Sequence, residues 1–245
     1  MSRVPLRFDI VTLFPEMFDA VTKFGVTGRA IARGLAGVHP HQLRDHAQDA
    51  YKTIDDRPYG GGPGMVMMPG PLTEAVAAIK SQQSSAGLSP GPVVLMSPAG
   101  RPMDQALMDR VSQSPCWTLI CGRYEGVDQR FIDQHVDELW SLGDFVLSGG
   151  EIAAMAVLDA AIRRLPGALG DAESSAQDSF SGSGILDWPH YTRPEVFQGL
   201  PVPDVLLSGH HERIADWRKK AALAATERHR PDLLNQQKPD DTHKK

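Results

Sequence analysis

Three short stretches of this 245-residue chain carry the residue types from which ligand sites are built: Ser97-Pro98-Ala99-Gly100, Gly122-Arg123-Tyr124-Glu125-Gly126, and the turn over 141–150, SLGDFVLSGG. Each follows an apolar run, and small residues leave backbone N–H and C=O groups free to meet a ligand. The run Gly60-Gly61-Gly62-Pro63-Gly64 invites a phosphate-loop reading. However, no Gly-x-x-x-x-Gly-Lys-Ser/Thr occurs and no GxGxxG follows a strand, so a conventional nucleotide site is disfavoured and a conformationally demanding turn is the simpler reading. Asp178, in Gln177-Asp178-Ser179-Phe180, reads as a solvated loop carboxylate. Arg163 stands four residues after Asp159, the favourable orientation for a helix ion pair. The nine histidines match no zinc spacing and no His-Glu-x-x-His is present, which removes the zincin reading. Gly87-Leu88-Ser89-Pro90-Gly91 has Gly-x-Ser-x-Gly spacing but lies in a Ser/Gly/Pro loop after a helix, so it is not a nucleophile elbow and the serine-hydrolase reading drops out as well. The residues alone describe a pocket of three backbone-rich loops, with no reaction attached.

The elements that must position these loops follow from periodicity. Residues 6–13 alternate as an opening strand, Pro15 starts a helix, another short helix begins at Thr27, and 38–43 is a second strand. A polar segment, 44–68, precedes a helix over 72–80 and a Ser/Gly/Pro loop over 81–92. Then come a buried strand at 93–96, a helix at 103–111, a strand at 117–121, a helix at 127–135 and a strand at 138–141. This alternation predicts an α/β fold with a largely parallel sheet, in which ligands collect at the carboxyl ends of strands. Ser148-Gly149-Gly150-Glu151 matches a capping box opening a helix over 152–165, so apolar that it is expected to be buried almost all round. Residues 166–187, rich in Gly, Ser, Ala and Asp, read as a linker or mobile loop. Beyond a Pro-punctuated stretch, Ser208 is expected to cap a helix running to about Arg228, with Ile214, Trp217, Ala221 and 223–225 on its apolar side. A last helical turn follows at 231–235, and the end of the chain, 238–245, is expected to be frayed.

Composition sets outer bounds. A hydrophobic fraction of 41% and a charged fraction of 22% are those of an ordinary globular protein. No apolar run reaches membrane-span length and the start lacks a signal-peptide pattern, so a cytoplasmic location is expected. Cys116 and Cys121, five apart on one strand, point to opposite faces, which disfavours a disulfide or shared metal. A net charge of −5 argues against indiscriminate nucleic-acid binding. From His211 onward, however, 9 Lys/Arg stand against 6 Asp/Glu. That end is either a phosphate-contacting surface or a solvated helical tail.

The motifs FPEMF (14–18), GVTGRA (25–30), DDRPYGGGPGM (55–65), SPAG (97–100), CGRYEGVD (121–128), LGDFVLSGGE (142–151), QDSF (177–180), PHYTRPEVF (189–197) and VLLSGHH (205–211) resemble, in order, those of the bacterial tRNA (guanine-N1)-methyltransferase family. The resemblance covers roughly residues 8–234. It implies methylation of N1 of guanosine 37, next to the anticodon, with S-adenosylmethionine as donor. It also implies a trefoil-knotted SPOUT-type α/β domain over 1–166, a linker or lid over 167–187, and a helical tRNA-binding domain over 188–245. The family works as a homodimer with its active site at the subunit interface.

Carried over residue by residue, the resemblance gives the cofactor positions as Leu95, Met96, Ser97, Gly122, Tyr124, Gly126, Leu142, Gly143, Asp144, Phe145, Val146, Leu147, Gly149 and Gly150. Leu95 and Phe145 depart from the pattern, standing where tyrosines are common. The implied general base is Asp178, with Arg163 beside it, and the loop carrying Asp178 is expected to order when tRNA binds. Arg213, Arg218, Lys219 and Lys220 are the expected tRNA contacts. The family also implies Mg²⁺ dependence, for which the sequence names no ligands. Two alternatives stand beside this reading: a related knotted RNA methyltransferase acting on another atom, and a catalytically silent S-adenosylmethionine- or RNA-binding homologue. The QDSF and PHYTRPEV blocks count against the first, and retention of Asp178 and Arg163 against the second.

Overall fold

A computed structural model describes residues 4–170, 178–182 and 184–235. The expected mobility of the 166–187 loop therefore falls partly, and the frayed 238–245 end wholly, outside the described residues. The chain divides into two compact units, residues 1–170 and 171–245.

In the first unit the elements run β1 (Leu6–Thr12), a 3₁₀ turn (Pro15–Phe18), α1 (Asp19–Thr22), α2 (Gly25–Ala32), β2 (Ala36–Gln42), a second 3₁₀ turn (Leu43–His46), the two-residue strands β3 (Asp55–Asp56) and β4 (Val66–Met67), and α3 (Pro69–Ser85). They continue through β5 (Val93–Pro102), α4 (Gln105–Gln113), β6 (Cys116–Cys121), α5 (Gln129–His135), β7 (Glu138–Ser141) and α6 (Glu151–Ile162). The main sheet has the order β2-β1-β6-β5-β7 and every pairing in it is parallel.

Side chains alternate across this sheet as a pleat requires. Phe8, Ile10, Val94, Trp117, Leu119 and Cys121 pack with α2, α4 and α6 on one face. Val11, Val93, Leu95 and Ile120 pack with α3 and α5 on the other. Both faces are covered, so β6 is buried along its whole length, as central strands of parallel sheets are. Trp117 and Trp140 meet with ring centroids 5.3 Å apart. Arg110 lies over both rings and pairs through two hydrogen bonds, at 2.8 and 2.6 Å, with Glu138.

One carboxylate is built into this framework. Asp9 on β1 is fully buried and accepts hydrogen bonds from Arg7 Nε and Nη2, from Gln83 Nε2 of α3 and from His41 Nε2 of β2, each at 2.8 Å. An ionised carboxylate only accepts, so the His41 nitrogen facing it carries the proton. Burial by itself would raise the Asp9 pKa, but the hydrogen bonds from His41, Arg7 and Gln83 outweigh it and hold the group well below the usual carboxylate range.

Several expectations need correction. The 93–96 strand does not stop at Met96. Trp140 pairs with Met96 and again with Arg101, so residues 97–100 loop out and the strand rejoins β7. A Cβ at Gly100 would collide with the Trp140 backbone, which explains a glycine there. The capping box at 148–151 does not form. The residue before α6 is Gly150 and no side chain caps it, because Glu151 turns inward, fully buried. Nor is α6 buried all round. Ile152 is 47% exposed and Asp159 is also outside, while Ala153, Ala154, Val157, Leu158, Ala161 and Ile162 face the core. The helix expected over 72–80 extends to Ser85.

The second unit is organised around one long helix. A hairpin of β8 (Val196–Phe197) and β9 (Leu200–Pro201) leads through α7 (Asp204–Leu207) to α8 (His211–His229) and α9 (Asp232–Asn235). Ser208 does not cap α8. Its hydroxyl donates to the Val205 carbonyl at 2.7 Å and accepts from His210 N–H at 3.3 Å, closing α7 instead. On α8 the buried positions are Ala222 and Thr226, while Leu223, expected inside, is 44% exposed. Arg218 lies 4.7 Å over the Trp188 ring and Trp217 lies 6.2 Å from Tyr191.

Candidate active site

The 97–100 excursion of β5 and the loops after β6 and β7 converge because the strand order turns back at β5: β6 lies on one side of it and β7 on the other. That reversal opens a crevice at the carboxyl ends of the strands. An open pocket of about 750 Å³ lies there, within the range of small-molecule and cofactor sites.

Of the fourteen cofactor positions expected from the sequence, Leu95, Met96, Ser97, Gly122, Tyr124, Gly126, Leu142, Gly143, Phe145, Val146, Leu147, Gly149 and Gly150 line this pocket. Asp144 stands exposed on the same loop but is not among the lining residues. The two departures from the family pattern differ in setting. Leu95 is buried in the core, whereas the Phe145 ring is 54% exposed and lies against Gly143. Ser141 shapes this loop, its hydroxyl donating to Gly143 C=O at 3.1 Å and accepting from Gly143 N–H at 3.2 Å.

The pocket also holds groups that the sequence did not single out. Glu125, which is not among the fourteen expected positions, lines it. Partial burial and then the Asp55 carboxylate raise the Tyr124 phenol above its ordinary pKa; Arg44, also within reach, acts the other way. Asp55 and Arg44 sit 69 and 80 residues before Tyr124 in the chain, so no local pattern announces them. They arrive because the 44–68 segment folds onto the loop after β6. Glu125 N–H bonds Met65 C=O, and Met67 N–H bonds Gly126 C=O, both at 2.9 Å. The glycine run forms the turn expected of it: Gly60, Gly61, Gly62 and Gly64 have φ of 85, 80, 120 and 79°.

A charge pair runs from the lining into the core. Arg123 Nη2 approaches Glu151 Oε2 to 2.9 Å, with the Glu151 side chain wholly inaccessible. Neither residue's partner was legible in the sequence.

Arg163 closes α6, its backbone N–H bonding Asp159 C=O at 3.2 Å. Its neighbour Arg164 pairs with Asp109 at 2.8 Å. Asp178 belongs to the second unit, where its C=O accepts from Ser181 N–H at 3.1 Å. Arg213, Lys219 and Lys220 are exposed on α8, while Arg218 is partly buried against Trp188. Among the described residues, no group of three or more His, Cys, Asp or Glu side chains is arranged to hold a metal ion, and no helix is long and apolar enough to cross a membrane.

A family model described as tRNA (Guanine-1)-methyltransferase TrmD matches residues 6–236. Among curated relatives, a tRNA (guanine-N(1)-)-methyltransferase of Polynucleobacter asymbioticus is 56% identical over 229 residues, covering 94% of this chain and 92% of the relative. One from Bordetella parapertussis is 57% identical over 231 residues, covering 94% and 90%. Among solved structures, a tRNA (m1G37) methyltransferase from Aquifex aeolicus superposes with a TM-score of 0.74 at 38% identity, covering 95% of this chain and 96% of that one.

Proposed function

The chain belongs to the tRNA (guanine-1)-methyltransferase family, and from that premise we propose that it transfers a methyl group from S-adenosylmethionine to N1 of guanosine 37 in tRNA. The observation that carries the reading is the meeting of three loops, from β5, β6 and β7, in one pocket of about 750 Å³. Its lining suits the cofactor. Backbone N–H and C=O groups of 122–126 and 142–150 can read an adenine edge, and Leu142, Phe145, Val146 and Leu147 supply apolar contact.

The sulfonium donor arrives already activated, so the protein needs no nucleophile. What remains is positioning and removal of the N1 proton as the new N–C bond forms. Asp178 takes that proton, and Arg163 stabilises the negative charge that develops on guanine O6. An unperturbed Asp has a pKa of ~3.9 and is a weak base. Arg163 compensates by making the guanine a stronger acid.

The working form in this reading is a homodimer of trefoil-knotted subunits, each active site completed by the partner subunit. In support, Ile152 is a large apolar side chain of α6 left 47% exposed, and Val146 on the pocket loop is 85% exposed. Arg213, Lys219 and Lys220 offer phosphate contacts. The substrate places the activity in the cytoplasm. Mg²⁺ dependence belongs to this reading through the family resemblance; among the described residues no group of three or more His, Cys, Asp or Glu side chains names its ligands.

The test is direct. Protein, labelled S-adenosylmethionine and an unmodified tRNA with guanosine at 36 and 37 are incubated, and the product is digested to nucleosides. Label in N1-methylguanosine is expected, and none when guanosine 37 of the tRNA is replaced by adenosine. Label elsewhere, or none with guanosine 37 in place, overturns the reading.

A further inference from the structure

Gly122–Gly126 and Leu142–Gly150 come from different strands, and contacts that run from the lining into the core tie them together. Gly150 N–H bonds Gly122 C=O at 2.9 Å, and Arg123 bridges to Gly149. The Arg123 side chain extends this contact: Nη1 donates to Ser148 C=O at 3.2 Å, and Nη2 stands 2.9 Å from Glu151 Oε2. Glu151 Oε1 in turn accepts from Thr12 Oγ1 at 2.9 Å, and Thr12 Oγ1 accepts from Phe14 N–H at 3.0 Å. The Arg123 guanidinium lies 4.6 Å over the Phe14 ring. Thr12 and Glu151 are wholly buried. Gly149 packs so closely on Arg123 that a Cβ there would collide with the guanidinium.

One ion pair thus gathers the ends of β1 and β6 and the turn into α6. A buried pair is a costly way to stabilise a fold, since well-packed apolar residues of similar volume often do as well or better. Retaining it suits a need for position. The next residue along, Tyr124, sits at φ 61°, a conformation that neighbouring contacts must hold.

We propose that Arg123 and Glu151 are positioning residues for the cofactor: their ion pair, which runs from the pocket lining to the wholly buried Glu151, sets the two pocket loops at the spacing the ligand requires. This rests on the cofactor reading of the pocket. The pair acts through Tyr124–Gly126 on one side and Ser148–Gly150 on the other, and Thr12 aims the carboxylate.

Three proteins separate position from stability: wild type, Glu151→Gln, and the double variant Arg123→Met/Glu151→Leu. S-adenosylmethionine binding is measured by calorimetry and folding by thermal melting. Glu151→Gln leaves a buried cation uncompensated, so it is expected both to melt lower and to bind the cofactor at least about tenfold more weakly. The double variant removes both charges, so its melting temperature is expected to recover while its cofactor affinity stays at least about tenfold down. A folded double variant with wild-type affinity overturns the proposal. If the double variant melts below the assay temperature, Arg123→Lys takes its place. It keeps the charge, but one ammonium cannot serve both Glu151 and Ser148 in the same geometry. Weakened binding by folded Arg123→Lys supports the proposal, and wild-type affinity overturns it. Failure of the wild type itself to bind S-adenosylmethionine refutes the functional reading instead, so the two failures are distinct.

Discussion

Asp9 and Asp178 show how differently two carboxylates of one chain are used. Asp9 is buried and held ionised by Arg7, His41 and Gln83. Its folded-state pKa lies below the unfolded value of ~3.9, so its stabilising contribution is complete above that value and fades as pH falls below it. Asp9→Asn is therefore expected to cost about 3 kcal/mol near neutral pH, because Arg7 loses its buried partner. In melts across pH, the gap between wild type and variant should narrow below about pH 4; a gap that stays constant into that range contradicts the assignment. For Asp178, replacement by Ala is expected to lower single-turnover methyl transfer by about 10²–10⁴-fold while leaving cofactor affinity unchanged. A variant with near wild-type turnover removes Asp178 as the base. Asp178 and Arg163 entered through family resemblance, since locally they look like a loop acid and half of a helix ion pair. Asp9 was not legible at all. Two of its partners lie 32 and 74 residues away, and no spacing rule spans that distance.

The strands and helices of the first unit were legible because a doubly covered parallel sheet writes itself as short apolar runs between amphipathic helices. Where the expectation failed, tertiary structure had redirected a side chain. Ser148-Gly149-Gly150-Glu151 has capping-box spacing, yet Glu151 serves Arg123 and Thr12 and leaves α6 uncapped. Propensity lost to a buried charge. The excursion of β5 over 97–100 was likewise invisible, because it depends on Trp140 pairing on both sides of it. Gly100→Ala is expected to destabilise the first unit by about 1–3 kcal/mol through overpacking and to weaken cofactor binding, since Ser97–Ala99 line the pocket. Asp104→Ala provides the contrast. It removes the cap that accepts Leu107 N–H at 2.7 Å, should cost about 1 kcal/mol, and should leave the cofactor affinity alone. Calorimetry on the two variants distinguishes the effects; equal affinities would refute the role given to the excursion.

At the level of the whole molecule, the sequence announced an α/β sheet and a second unit after it but not the strand order, because pairing of β1 with β6 is set by three-dimensional closure and not by local pattern. The uncovered Ile152 belongs to this scale too. If the protein is the proposed homodimer, Ile152→Arg is expected to shift it from dimer to monomer in sedimentation velocity at micromolar concentration and to abolish methyl transfer; a fully active dimer would show that this face is not the subunit contact. The strand order has one more consequence, for synthesis. β1 and β2 pair early, but β1's other neighbour, β6, is translated about 70 residues after β2. At ~5–20 residues per second, the nascent chain carries an open, apolar sheet edge at the ribosome for roughly 4–14 s. A chain built in this order should be a client of ribosome-associated chaperones, and slowing translation between β2 and β6 should increase its aggregation.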